Sequence, residues 1–150
     1  MSQTAQEQAW RCILDLFLAQ RGRMLAVAHE FGLAPQQAIA IKQLEPGKPM
    51  TMSELAQRLH CDNSNVTGIA DRLEAHGLVE RRPHASDRRV KTLVLTERGE
   101  AVRRAYDARL GRVPPELRAL SDDDAGRLLE IMRRATAASG APAPRTSPTA

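Results

Sequence analysis

Two cysteines, Cys12 and Cys61, are the whole thiol complement of the 150-residue sequence. They are too few and too irregularly placed for a disulfide framework, and such sparing use fits a reducing cytoplasm. The opening MSQTAQEQAW has neither the basic start nor the apolar run of a signal peptide. No apolar stretch approaches the roughly 20 residues needed to span a bilayer. Catalytic signatures are missing as well: there is no phosphate-cradling glycine loop, no nucleophile elbow and no H-E-x-x-H pattern. Of the four histidines, His76 and His84 lack a zinc-ligand spacing, and His60 diverges from its neighbour Cys61. These gaps lead us to expect a soluble cytoplasmic chain that is not an enzyme and carries no metal or cofactor.

A chain of this length buries roughly 68–70% of its unfolded surface, enough for one core without staples. Net charge is only +4, with a pI near 9.7, but the positive charge is uneven. Over residues 78–91, Arg81, Arg82, Arg88, Arg89 and Lys91 face only Glu80 and Asp87. A basic patch of that kind suits phosphate, whose neutralisation releases counterions. By itself such a run is usually a solvated face; its position gives it meaning.

Just before it, Leu55, Ala56, Leu59, Val66 and Ile69 stand at the offsets that lock two short helices at a steep angle. Thr51 and Glu54 form a T-x-x-E capping box, which starts the first of these helices and lets it run to about His60. Asp62, Asn63 and Ser64 are all N-cap residues, so the second helix begins among them and stops at Gly77. Its inward stripe is Val66, Ile69, Ala70 and Leu73. Outward it shows Ser64, Asn65, Thr67, Gly68 and Asp71, with Arg72 at the edge. The β-prone runs at 78–82 and 90–95, joined by a polar tip, read as a hairpin. Helix, turn, helix and wing in this order describe a head that offers one helix to a major groove about 12 Å wide.

Around this head, apolar residues from Trp10 to Ala28 recur at helical spacing and predict a long helix over about 5–31, stopped by Gly32. Pro35 opens a helix to about 45. Thr96 caps a fifth helix carrying Val102, Ala105, Tyr106, Leu110 and Val113. Pro114-Pro115 interrupts it, and Ser121 with Asp124 starts a last helix bearing Leu128, Leu129, Met132 and Ala135. The final GAPAPRTSPTA reads as a disordered tail.

These residues resemble the MarR family of bacterial transcription regulators over about 5–138. The most specific likeness is the wing pattern D-x-R-x-x-x-x-x-L-T, present as Asp87, Arg89, Leu95 and Thr96. NSNVTGIADRLEAHGLVERR, from Asn63 to Arg82, is similar to the family's recognition helix and wing start. The resemblance implies a mainly α, α+β winged helix-turn-helix fold of six helices with a two- to three-stranded wing. It also implies a homodimer whose terminal helices intertwine. The expected organisation is dimerisation helices at 1–48, a winged head at 49–96, dimerisation helices at 97–139 and the tail at 140–150. Long apolar stripes on the terminal helices, too large to leave uncovered, support pairing independently.

The expected partner is double-stranded DNA carrying a pseudo-palindromic operator, with half-sites one helical turn apart. Ser64, Asn65 and Thr67 are the candidates for base edges and phosphates: Asn pairs bidentately with adenine, and a Thr methyl touches thymine. Gly68 removes bulk on that face, although a merely tolerated helix glycine is the plain alternative. The resemblance gives Arg89 the narrow minor groove and Asp87 the bracing of the wing, while Arg88, Arg81, Arg82 and Arg72 suit phosphates. By the same resemblance a small phenolic or other aromatic effector would release DNA from a pocket near Arg11, Met24, His29 and Arg72. Each of these also has an ordinary reading as core or helix-end chemistry. Two other functions are weighed: oxidant sensing through Cys12, and a winged module that binds protein instead of DNA. Steep loss of binding with salt marks the DNA reading.

Overall fold

The computed structural model describes residues 4–138. The described residues fall into two compact units, divided between Leu110 and Gly111. In the first unit α1 spans Ala5–Glu30, α2 Pro35–Gln43, α3 Met52–Leu59, α4 Asn63–Ala75 and α5 Glu97–Leu110. Strands are β1 (Met50–Thr51), β2 (Val79–Pro83) and β3 (Lys91–Leu95). The described part of the second unit, 111–138, holds α6 (Pro115–Arg118) and α7 (Asp122–Ala138). The expected tail at 140–150 lies outside the described residues.

Local chemistry sets most of these boundaries. Glu54 N–H donates to Thr51 Oγ1 at 3.1 Å, and Thr51 N–H donates back to Glu54 Oε2 at 2.7 Å, so the capping box that starts α3 is complete. Thr4 and Glu7 make a second, unforeseen box at α1. Three helices end alike: the N–H after the left-handed residue reaches back to Ala28, Ala56 or Leu73, and Gly32, His60 and Gly77 occupy the left-handed position. His60, with φ of 49°, takes the place where a glycine would be unstrained.

The described residues form seven helices where the sequence led us to expect six. Pro115, read as an interruption, sits at the first position of α6, where its missing N–H costs nothing. The wing has three strands in the order β1-β3-β2, all antiparallel. Met50 and Thr51 pair with Leu93 and Thr92, so the approach to α3 is stitched to the hairpin.

The core of the first unit joins α2, α3, α4 and the sheet through Ile41, Leu44, Leu55, Val66, Leu73 and Leu93, all fully buried. α5 crosses the junction of α4 and β2 so closely that a Cβ on Gly99 would lie 1.8 Å from the Leu78 carbonyl oxygen. Thr96 Oγ1 donates to Gly77 O at 2.7 Å and accepts from Gly99 N at 3.0 Å, which fixes that crossing. Tyr106 meets Phe31 edge to face at 5.9 Å. The α1 stripe remains largely uncovered, with Trp10 61% and Phe17 57% exposed. On α7 the apolar Leu128, Leu129, Ile131 and Met132 are exposed too.

Candidate nucleic-acid interface

α4 is two-faced. Val66, Ile69, Ala70 and Leu73 are buried, and Ser64, Asn65, Thr67, Asp71 and Arg72 are exposed along the opposite side. Its expected side-chain N-cap is not formed: Asp62 takes the cap position by backbone alone. Thr67 spends its hydroxyl proton on Asn63 O at 2.9 Å, leaving its methyl group and a lone pair as what it can offer a partner. A Cβ on Gly68 would meet nothing within 4 Å, so no packing inside the chain requires a glycine there.

At the wing tip, His84 N–H donates to Val90 O at 2.9 Å and Val90 N–H to Asp87 O at 3.0 Å. The Asp87 carboxylate accepts from Arg89 N at 2.9 Å, an Asx turn that holds the tip's shape. Ser86 Oγ lies 2.9 Å from His84 Nδ1. Arg88 and Arg89 are exposed on this braced tip, with no ion pair among the described residues.

The remaining arginines divide. Arg72 is exposed on α4 and, among the described residues, in no ion pair. Arg82 pairs with Glu80 on the surface of β2. The sequence reads Arg81 as a phosphate contact, but its guanidinium is taken up inside the chain: Nη2 lies 2.6 Å from Asp71 Oδ1 and Nη1 2.6 Å from Glu74 Oε2. The bond to Asp71 raises the Arg81 pKa above its ordinary value, against partial burial and with help from Glu74. Charge counting alone missed this, although carboxylates three positions apart on α4 were a usable sign.

The four effector-pocket candidates are not gathered by this fold. Arg11, Met24 and His29 all lie on α1, and eighteen positions separate Arg11 from His29. At 1.5 Å per residue that is about 27 Å. Two of the cavities lie elsewhere in the first unit. One, of about 80 Å³, lies among Gln36, Ile39, Leu59, Cys61, Asn65 and Ile69; the other is an open polar groove between α3 and the start of α4. None of the four lines either. Cys12 is exposed on α1, and the sole tyrosine, Tyr106, packs on Phe31 near the far end of that helix. Among the described residues no group of three or more His, Cys, Asp or Glu is placed to hold a metal. Nor, among the described residues, is any helix long and apolar enough to cross a membrane.

Comparison with known proteins places this geometry. The MarR family model matches residues 33–91, from the loop before α2 to the first residue of β3. The transcriptional repressor MdtR of Bacillus subtilis is 35% identical over 85 residues, covering 57% of this chain and 55% of that protein. The chain thus spans about half the length of that relative. Among solved structures, YusO of B. subtilis superposes with a TM-score of 0.72 at 26% identity, over 91% of this chain and 99% of that one. A MarR family protein from Bacillus stearothermophilus gives 0.75 at 21% identity over 93% and 99%, a likeness of fold alone. Motif, wing geometry, family model and superposed folds agree, and over residues 33–91 the chain is similar to the MarR family.

Proposed function

We propose that this chain is a DNA-binding transcriptional regulator that works in the cytoplasm as a homodimer, each copy presenting α4 to a major groove of a pseudo-palindromic operator. One observation carries the reading: one head carries both an exposed helix face with Ser64, Asn65 and Thr67, cleared of bulk at Gly68, and a braced tip with two arginines in no ion pair among the described residues. Asn65 reads a base edge, Thr67 offers its methyl, and Ser64 and Arg72 take phosphates. Arg89 enters the adjoining minor groove, with Arg88 and Arg82 on the backbone. The uncovered stripes of α1 and α7 support pairing through 1–48 and 97–139 around the head at 49–96. A dimer seated on a promoter blocks polymerase without further contacts, so the sign is repression. Release by a small aromatic ligand rests on the family likeness.

The test is selection of bound duplexes from a random pool, followed by gel-shift titration. An enriched inverted repeat is expected, with affinity falling steeply as salt rises. Arg89→Ala should weaken the selected duplex more than tenfold, about 1.4 kcal/mol or more, while sedimentation still shows dimers. No enriched sequence refutes the function, and unchanged affinity in Arg89→Ala refutes the wing's part in it.

A further inference from the structure

Arg81 sits where the recognition helix and the wing meet, and its bonds run in both directions. Its guanidinium spans Asp71 and Glu74 on α4, both at 2.6 Å, while its own backbone N–H donates to Glu74 Oε1 at 3.2 Å. In the sheet it pairs with Leu93, a fully buried residue of β3. One residue therefore joins two successive turns of the helix, through its side chain, to the central strand, through its backbone.

We infer that Arg81 is a positioning residue: with Asp71 and Glu74 it forms a strut that sets the angle of the wing to the recognition helix, so that Arg88, Arg89 and the α4 face meet one duplex together. This rests on the DNA-binding reading above and deepens it. Two carboxylates on a helix that must approach a polyanion oppose binding by simple electrostatics. Paired across a guanidinium, they instead hold the hairpin where it leaves the sheet. Leverage makes the angle matter. Asp87 lies six positions beyond Arg81, the last four of them in the turn after β2, so at about 3.3 Å per residue the tip stands at most roughly 20 Å beyond the strut, and a swing of about 10° moves it by up to about 3 Å. That displacement exceeds the tolerance of any hydrogen bond to DNA.

The double substitution Asp71→Asn with Glu74→Gln separates the possibilities, because it keeps shape and removes two negative charges. If Arg81 were a phosphate contact restrained by carboxylates, freeing it would tighten binding to every duplex. The strut requires the reverse for the selected duplex: about a tenfold loss, with binding to a random-sequence duplex equal to or stronger than the wild type's. Arg81→Lys should lose affinity similarly, since an ammonium cannot make the planar two-carboxylate bridge. Adding Arg81→Ala to the double variant should cost little more, as all three act through one connection. Amide order parameters over 84–90 should fall in both variants, a change a direct phosphate contact would not cause. Undiminished affinity of the double variant for the selected duplex, or unchanged tip order, overturns the strut. A wild-type protein that selects no duplex overturns instead the function on which the strut depends.

Discussion

Gly68 is the residue whose stability and function pull apart most cleanly. It lies mid-helix with open space around its missing Cβ, so Gly68→Ala should strengthen α4 by up to about 1 kcal/mol. If the open space is where DNA backbone approaches, the same methyl obstructs it. The expected pair of results is a raised urea midpoint and a weakened gel shift. An alanine variant that gains stability and keeps full affinity would make Gly68 an ordinary helix glycine. Single residues were unevenly legible. Hydrophobic spacing identified Val66, Ile69, Ala70 and Leu73 as inward, because burial on a short amphipathic helix follows periodicity. Charge could not say which arginines were free. Arg81 is engaged and Arg89 is not because Asp71 and Glu74 sit opposite one strand position, a matter of register that no local rule supplies.

The short helix α3 depends on its first turn. Glu54 accepts from Thr51 N and from Thr51 Oγ1, and these bonds, foremost the one from the Thr51 backbone, hold its carboxyl below the usual value of 4.5. A lowered folded-state pKa means the stabilisation is complete above the unfolded value and is lost as pH falls through the folded one. Glu54→Gln keeps an acceptor but cannot titrate. The stability advantage of the native chain over this variant should therefore shrink as pH drops below about 4.5, read by thermal unfolding at successive pH values. A constant difference from pH 6 downward would remove the ionised carboxylate from the cap. Helix starts of this kind were legible because box and helix lie within four residues. The crossing of α5 over Leu78 at Gly99 was not, since it depends on contacts about twenty residues apart in sequence. The extra turn α6 was missed for another reason: a proline that breaks one helix can begin the next.

The proposed pairing of two chains is a matter for the whole molecule. An α1 with Trp10, Ile13, Phe17 and Leu18 open to water should be stable only when a second copy covers it, which makes the melting temperature rise with protein concentration. Phe17→Glu should lower the assembly to a monomer in sedimentation and abolish that concentration dependence. A concentration-independent melt of the native chain would mean that the stripe is covered within one copy. The sequence foresaw the stripes, because helical periodicity exposes an apolar side whatever covers it. Thr51 links these tiers. It ends β1 opposite Thr92 and simultaneously caps α3, so the same half-exposed threonine closes the sheet and opens the helix-turn-helix. A substitution map shaded by solvent exposure would pass over this position, yet it should rank with the interior leucines for intolerance to change, since a defect there loosens two joints at once.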